Sequence, residues 1–135
     1  MGIVGTIPPQ LGNLSFLVWL NVMNNSFHGH LPPELSHLRR LKYINLAHND
    51  LEGEFPSCLG GLTALRLKNF PYNKFSGSLS EGICNFTKLE WINLGFNFLT
   101  GNIPEEFSAP PKLKNLAMEF DQLVVPLPQA FFNLT

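Results

Sequence analysis

Hydrophobic and polar positions recur along this chain with a period of 24 residues. Within one period, the stretch Tyr43 to Ala47 alternates polar and apolar side chains, which predicts a short strand with one face buried. An apolar residue opens the pattern two residues before this strand in every period: Leu17, Leu41, Leu65, Leu89 and Leu113. Further apolar columns follow at fixed offsets, so each coil points a ring of apolar side chains at a common axis. One coil cannot bury such a ring, but stacked coils can, which predicts a solenoid.

Three chemically unrelated residue types, proline, glycine and asparagine, share the same period. Prolines occupy 8, 32, 56, 104 and 128, and glycines occupy 5, 29, 53, 77 and 101. The 135 residues are therefore expected to form one domain. Its predicted parts are a partial repeat 1–13, full repeats 14–37, 38–61, 62–85, 86–109 and 110–133, and the start of another repeat at 134–135. The predicted fold class is α/β: a right-handed solenoid with a parallel concave sheet of about five strands, spaced ~4.8 Å apart. The proline near the end of each repeat predicts short 3₁₀ or irregular segments on the convex side.

An asparagine follows each predicted strand at the point where the chain turns. A side-chain amide both donates and accepts, so it can satisfy backbone groups of its own coil and of the adjacent one. The predicted ladder consists of Asn25, Asn49, Asn73 and Asn97, with Asp121 next in line. An ionised aspartate accepts but does not donate, so we expect the ladder to weaken in the last repeat.

The repeat resembles a known family. The pattern LxxLxxLxLxxNxLxGxIPxxLGxL is similar to the plant-specific class of leucine-rich repeats, and Leu41 to Gly53 and Leu99 to Pro104 match it closely. The opening Gly5 to Ser15 also resembles the first repeats of plant receptor-like kinase ectodomains. The resemblance covers nearly the whole chain. It implies a leucine-rich repeat solenoid that binds other molecules and is not an enzyme.

The third repeat departs from the pattern on its concave side. Lys68 occupies a position that should point into the core, and burying an unpaired ammonium group is costly. We therefore predict that Leu67 takes the inward place, that Lys68 turns outward, and that a bulge before Phe70 restores the register. Pro71 has no N–H, which predicts a missing ladder hydrogen bond. These changes should set Tyr72 apart from its column, close to Trp91 and Phe96.

Outward-pointing strand residues form the candidate ligand-binding face. Exposed aromatic residues are enriched in binding hot spots, and an asparagine column can pair with an extended peptide backbone. Stacking of these aromatics for sheet stability is the other interpretation of the same columns. The candidate residues are Trp19, Asn21, Tyr43, Asn45, His48, Asn69, Tyr72, Trp91, Asn93, Phe96 and Phe120. We expect the contacts to centre on Tyr43, Tyr72, Trp91 and Phe96.

Composition and charge exclude several function classes. A net charge of −1 gives no basic surface for nucleic acid, and no apolar run is long enough for a membrane span. His28 and His30 have no neighbouring Cys, Asp or Glu at metal-ligand spacing, which predicts no metal site and no cofactor. The adjacent pair Glu105 and Glu106 lies in a regular coil without the cleft that a catalytic dyad needs.

Four glycosylation sequons point to a secreted protein. They begin at Asn13, Asn24, Asn85 and Asn133, although Asn, Leu and Ser/Thr are also simply common at repeat junctions. Asn24 is the poorest acceptor because it borders the sheet. Cys58 and Cys84 are too few for a disulfide framework and are interpreted as small, half-buried residues. The predicted location is extracellular, as part of a plasma-membrane protein's ectodomain, without a signal peptide in this chain.

The resemblance leaves several functions open. The first is the ligand-sensing region of a plant receptor-like kinase, with a peptide or protein ligand and a co-receptor kinase as partners. The alternatives are a secreted inhibitor of a hydrolase, similar to polygalacturonase-inhibiting proteins, and an ice-binding protein, which bulky Trp19, Trp91 and Phe96 disfavour. Neither end carries the Cys-rich cap usual in the family, which indicates a fragment and predicts end-to-end self-association.

Overall fold

Each full coil of the protein contributes one short strand to each of two parallel sheets. The computed structural model describes residues 2–54, 62–78, 90–102, 115–117 and 122–124. Its strands are β1 (Val4–Thr6), β2 (Trp19–Asn21), β3 (Ser26–Gly29), β4 (Tyr43–Asn45), β5 (Asp50–Glu54), β6 (Leu67–Asn69), β7 (Lys74–Ser78), β8 (Trp91–Asn93), β9 (Phe98–Asn102), β10 (Asn115–Ala117) and β11 (Gln122–Val124). The five-stranded sheet has the order β10-β8-β6-β4-β2, and the six-stranded sheet has the order β1-β3-β5-β7-β9-β11.

The five-stranded sheet keeps one register across all its strands. Trp19 pairs with Tyr43, Tyr43 with Leu67, Leu67 with Trp91, and Trp91 with Asn115, in parallel throughout. Each step is one 24-residue period, so equivalent positions of successive coils lie side by side. The predicted leucine-rich repeat solenoid, with a parallel sheet of about five strands, is thereby confirmed.

The six-stranded sheet was not predicted from the sequence. Four of its strands, β3, β5, β7 and β9, begin directly after a ladder asparagine. In β5, Asp50, Leu51 and Glu52 alternate exposed, buried and exposed. The polar–apolar–polar alternation in β3, β5 and β7 was the available sequence signal for this second strand. The strand continues through Gly53, whose φ of 96° favours glycine. A Cβ atom at Gly53 would collide with the imidazole ring of exposed His30 from the preceding coil, so that side chain would have to move to admit a larger residue.

The two connections that the structure describes on the other side of the coils are short 3₁₀ helices, as predicted. These helices span Pro9–Asn13 and Pro33–His37. Each follows a proline, Pro8 or Pro32, whose carbonyl oxygen accepts a hydrogen bond of 3.1 Å from the backbone three residues later. Proline fits the first turn of a helix because its missing N–H has no acceptor there anyway.

Lys68 does not turn outward, and the predicted bulge is wrong. Its side chain is fully buried, whereas Leu67 is half-exposed. Lys68 pairs in regular register with Ile44 on one side and Ile92 on the other. The Nζ atom lies 5.2 Å from the centroid of the Phe70 ring, within reach of a cation–π interaction. The parallel pairing on both sides therefore outweighs the cost of burying the lysine.

Pro71 does not remove a hydrogen bond between coils, which also contradicts the sequence-based prediction. Between coils, the N–H groups one residue before and one residue after this position are the donors: Phe70 donates to Asn93 O, and Tyr72 donates to Gly95 O. The N–H at this position instead faces its own coil, as Ala47 and Gly95 show. A proline is therefore tolerated here without breaking the sheet.

The ladder asparagines join the backbones of adjacent coils. Asn73 is buried, its Oδ1 accepts a hydrogen bond of 3.1 Å from Leu51 N, and its Nδ2 donates to Leu46 O at 2.7 Å. Both partners belong to the preceding coil. Its Nδ2 also lies 3.3 Å from Phe70 O in its own coil. Asn49 and Asn97 repeat this arrangement. Asn25 likewise accepts from Ile3 N of the preceding coil, whereas its Nδ2 donates to Val22 O and Met23 O of its own coil. Asp121 lies outside the described residues.

Replacing Asn73 with alanine should destabilise the protein by roughly 3 kcal/mol, because the buried N–H of Leu51 loses its acceptor and the carbonyl of Leu46 keeps only the donor from Asn49. Urea unfolding monitored by circular dichroism measures this change. Asn25→Ala is the matched control, since Asn25 is only part-buried and should cost about 1 kcal/mol. Equal losses for the two variants would contradict a role for burial in the ladder.

Candidate ligand-binding face

The exposed face of the five-stranded sheet carries large aromatic side chains. Strand residues that point away from the core begin each strand, and among them Trp19 and Trp91 are 63% and 48% exposed. Tyr43 and Leu67, between them in register, are half-exposed. The rings of Trp19 and Tyr43 are tilted by 41° with centroids 5.2 Å apart. Leu67 separates this pair from Trp91, so the first column is an interrupted aromatic row.

A second aromatic column lies where the strands end. The His48 and Tyr72 rings stack with centroids 4.2 Å apart and an interplanar angle of 11°. The Tyr72 and Phe96 rings stack equally closely, at 4.1 Å and 9°. Tyr72 is 44% exposed. The prediction that Tyr72 is set apart from its column is therefore wrong, since the regular register of Lys68 keeps Tyr72 between its two neighbours. We call His48, Tyr72 and Phe96 the aromatic stack.

The aromatic stack stands on left-handed backbone. The φ angles are 56° at His48, 59° at Tyr72 and 55° at Phe96, and Asn24 in the preceding coil has 59°. Asparagine adopts this conformation readily, but for the bulkier side chains it costs about 1 kcal/mol each. These angles were not anticipated from the sequence, although Asn24 at the same offset was a hint. Stacking between flat rings, worth about 1 kcal/mol per pair, offsets this cost.

The asparagine column between the two aromatic columns is largely occupied by its own backbone. In three coils the side-chain Oδ1 accepts a hydrogen bond of 3.1 Å from the N–H two residues later: Asn21 from Met23, Asn45 from Ala47 and Asn93 from Gly95. Asn69 differs, because the residue two positions later is Pro71. Its Nδ2 instead donates to Asn45 Oδ1 at 3.2 Å. The column therefore offers fewer open groups than its sequence suggests.

Two cationic side chains lie at the edge of the candidate face where the strands begin. Lys42 and Arg66 are exposed immediately before β4 and β6, at equivalent positions of adjacent coils. Between residues of the described ranges, neither of them forms an ion pair, whereas Lys74 Nζ on the other sheet lies 3.5 Å from Asp50. Glu90 occupies the equivalent position of the next coil and is half-buried. Among the described residues at this position of the repeat, the positive charge is therefore carried by Lys42 and Arg66.

The remaining predicted residues lie apart from this face or outside the described residues. Asn13 is exposed at the end of the first 3₁₀ helix, and Asn24 is exposed beside the sheet. Phe120, Asn85, Asn133, Cys58, Cys84, Glu105 and Glu106 lie outside the described residues. Within the described ranges, no group of three His, Cys, Asp or Glu side chains is placed to hold a metal ion. Among those same residues, no helix is long and apolar enough to cross a membrane.

The left-handed backbone at Tyr72 predicts which of two variants is the more stable. Tyr72→Gly should be about 1 kcal/mol more stable than Tyr72→Ala, because both lose the stacking but only alanine keeps the strain at positive φ. Paired urea denaturation curves measure the difference. Thr63, which is exposed and has no positive φ, supplies the control: there the alanine variant should be the more stable one. The same order at both positions would contradict the assigned strain.

Comparison with known proteins supports the repeat assignment. The sequence model of the Leucine Rich Repeat family matches residues 16–38, 40–62 and 88–109, together half of the chain. A comparison with functionally curated proteins finds no significant match. Many solved structures are similar.

Three solved structures illustrate the similarity. The ectodomain of the plant membrane receptor kinase GASSHO1/SCHENGEN3 from Arabidopsis thaliana, in complex with CASPARIAN STRIP INTEGRITY FACTOR 2, superposes with a TM-score of 0.95 at 34% identity. That match covers 98% of this chain and 16% of the receptor chain. The Arabidopsis receptor kinase HAESA, in complex with the peptide hormone IDA and the co-receptor SERK1, gives 0.86 at 27% identity, covering 90% of this chain and 20% of the other. A plant ice-binding protein gives 0.89 at 29% identity, covering 97% and 43%.

The chain thus spans about a fifth of the length of several receptor ectodomains that it matches, including those of GASSHO1/SCHENGEN3 and HAESA. The match to the family's sequence model, the 24-residue register of the five-stranded sheet and the asparagine ladder between coils all agree. The chain belongs to the leucine-rich repeat family and is similar in structure to the ectodomains of plant receptor kinases.

Proposed function

We propose that this chain is a non-catalytic, ligand-binding module from the extracellular, ligand-sensing region of a plant receptor-like kinase. The observation that carries the proposal is the aromatic character of one continuous surface. Trp19 and Trp91 are largely exposed at the start of the strands, and the aromatic stack lies at their ends. Large exposed aromatic side chains on a rigid sheet are typical of binding hot spots.

A peptide or protein is the ligand class that this surface fits best. The rings supply apolar contact area, and their orientations are fixed before binding, because the aromatic stack is packed ring against ring. A preorganised surface loses less conformational entropy when the ligand binds. Amide groups of the asparagine column lie between the two aromatic columns and supply polar contacts to a main chain.

Relatives support the receptor context. The similar structures include membrane receptor kinase ectodomains described in complex with CASPARIAN STRIP INTEGRITY FACTOR 2 or with the peptide hormone IDA and the co-receptor SERK1. By analogy we propose a peptide ligand and a co-receptor kinase as partners of the protein to which this module belongs. The fold alone does not decide this, because one fold serves many functions.

Ice binding is the second candidate, since a plant ice-binding protein is among the similar structures. A surface that binds ice would be expected to present a flat, regular array of small polar side chains. The five-stranded sheet instead exposes Trp19 and Trp91. The six-stranded sheet exposes charged Asp50 and Lys74 and, at the equivalent position of the next coil, Phe98. Both surfaces therefore favour recognition of an irregular molecule such as a peptide.

The proposal predicts which side chains a bound peptide needs. The probe is a set of linear twelve-residue peptides selected on the immobilised wild-type chain from an unbiased display library. We expect selected peptides to bind the double variant Tyr72→Ala, Trp91→Ala at least tenfold more weakly, because both residues lose apolar contact area near the centre of the face. Isothermal titration calorimetry with synthetic peptides measures the change.

The matched control replaces an exposed aromatic residue of the other sheet. Phe98→Ala lies on β9, is exposed to a similar extent and should leave peptide binding unchanged. Urea unfolding of each variant separates lost contacts from lost folding. Failure to select any peptide, or undiminished binding by the double variant, would refute the proposed face.

Secretion of the chain makes a separate prediction. Expressed through a eukaryotic secretory pathway, the chain should carry N-linked carbohydrate at Asn13, Asn85 or Asn133, whereas Asn24 should be modified least. Asn24 adjoins the ladder residue Asn25 and has a φ of 59°, which constrains its sequon. Intact mass before and after enzymatic deglycosylation measures the occupancy, with Asn13→Gln as a site control. An unmodified mass would count against an exposed, secreted domain.

A further inference from the structure

One coil breaks the hydrogen-bonding rule of the asparagine column. In the coils of Asn21, Asn45 and Asn93, the side-chain Oδ1 accepts the N–H of the residue two positions later, each time at 3.1 Å. In the third coil that residue is Pro71, which has no N–H to donate. The sheet itself loses nothing by this, because its hydrogen bonds run through the residues on either side of the proline.

The consequence is an open acceptor at the centre of the candidate face. Asn69 is half-exposed, and the one side-chain hydrogen bond that it forms with another described residue is the donation from Nδ2 to Asn45 Oδ1. That donation orients the amide group and leaves Oδ1 available. A carbonyl oxygen has two lone pairs, so this atom can accept hydrogen bonds from outside the protein without competition from its own coil.

The surroundings of Asn69 define what can reach this oxygen. Asn69 pairs with Asn93 in the next strand, and Trp91 lies on the same exposed face two residues earlier in that strand. Tyr72 of the aromatic stack follows three residues after Asn69. A ligand group that approaches Asn69 is therefore flanked by apolar rings, where a hydrogen bond is shielded from water and discriminates strongly between donors and non-donors.

The positive charge of the nearby edge further restricts the chemical class of the ligand. Arg66 lies three residues before Asn69 on the same chain, about 10 Å away along an extended backbone. Lys42 is adjacent to Arg66 in the preceding coil, since the N–H groups of Arg66 and Leu67 both donate to Lys42 O. On the other side of Arg66, Glu90 N donates to Arg66 O, so a ligand's acid is better placed towards Lys42 than towards Glu90. Neither cation has an acidic partner among the described residues, and a carboxylate is the complementary group at that distance.

We propose that Asn69 Oδ1, released by Pro71, accepts a main-chain N–H of an extended acidic peptide whose carboxylate lies against Lys42 and Arg66. This inference rests on the proposed peptide-binding function and adds to it the residue that reads the ligand's main chain. Asn69 then fixes the register of the peptide on the aromatic face, while the two cations select an acidic side chain about three residues' length away. Pro71 acts only indirectly, by withholding the N–H that would otherwise occupy Asn69.

The experiment uses the linear twelve-residue peptides selected on the wild-type chain. Each main-chain amide of one selected peptide is N-methylated in turn, and dissociation constants are measured for wild type and Asn69→Ala. We expect one N-methylated position to bind wild type about tenfold more weakly, the effect of one lost hydrogen bond. The same N-methylation should leave binding to Asn69→Ala unchanged, because that variant has no oxygen to lose. Additivity of the two changes would overturn the inference.

A second variant tests the role of Pro71 without touching Asn69. Pro71→Ala restores an N–H at a position where Ala47 is already accommodated in the preceding coil, so the variant should fold. The new N–H should bind Asn69 Oδ1, weaken peptide binding severalfold, and gain protection from hydrogen exchange. Ala47→Gly is the control, since it keeps its N–H and should leave affinity unchanged. If the restored N–H of the Pro71→Ala variant is unprotected and affinity is unchanged, the assigned role is overturned.

The acidic preference has its own measurement. Selected peptides should be enriched in Asp and Glu, and Arg66→Gln should weaken them severalfold in low salt and less in high salt, as expected for an exposed charge pair. Neutral selected peptides that bind Arg66→Gln as tightly as wild type would overturn this part. Peptides that lose affinity for the Tyr72→Ala, Trp91→Ala variant but show no coupling to Asn69 would leave the proposed function standing and remove this inference.

Discussion

The fold depends on a side-chain amide that stands in for backbone at the turn after each strand. Where the chain turns from the five-stranded sheet towards the six-stranded sheet, backbone groups such as the N–H of Leu51 and the carbonyl of Leu46 pair with a side chain. Asn49, Asn73 and Asn97 fill that place, each accepting from a backbone N–H of the preceding coil and donating to carbonyls of both coils. Because these groups are buried, water cannot substitute for the amide. The stacking of adjacent coils is therefore fixed once per coil by the same residue.

The sequence predicted the repeating features of the five-stranded sheet, missed the six-stranded sheet, and failed on the one coil that deviates. Periodicity located the sheet strands, the ladder and the outward columns, since each is a consequence of one residue type at one offset. Lys68 was misplaced because the cost of a single ammonium group was weighed against a single strand. In the structure, Lys68 is held by pairing with Ile44 and Ile92 at once, and a slip would have disturbed both neighbours. Burying the long side chain of Lys68 with its amine near the Phe70 ring costs less free energy than such a slip.

Features of the candidate face that depend on backbone angles could not be predicted from the sequence. The residue types of Tyr72 and Phe96 do not predict a positive φ, because bulky residues avoid that conformation. Likewise, the effect of Pro71 on Asn69 can be derived only when the direction of each backbone N–H is known. The N–H groups of Phe70 and Tyr72 point to the neighbouring coil, whereas an N–H at the position between them would point into its own coil. The repeat period identified the outward-pointing columns, but the hydrogen-bonding directions determine which of their groups remain open.

The strict register of the five-stranded sheet also fixes the spacing of contacts along any peptide that crosses its strands. Neighbouring strands are about 4.8 Å apart, whereas an extended peptide advances about 3.3 Å per residue. The two periods coincide after two strands and three peptide residues, at about 10 Å. A peptide that crosses the strands therefore meets equivalent positions of alternate coils with every third residue, and the intervening residues fall between columns. The sheet thereby imposes a triplet spacing on the recognised side chains, whatever their identity.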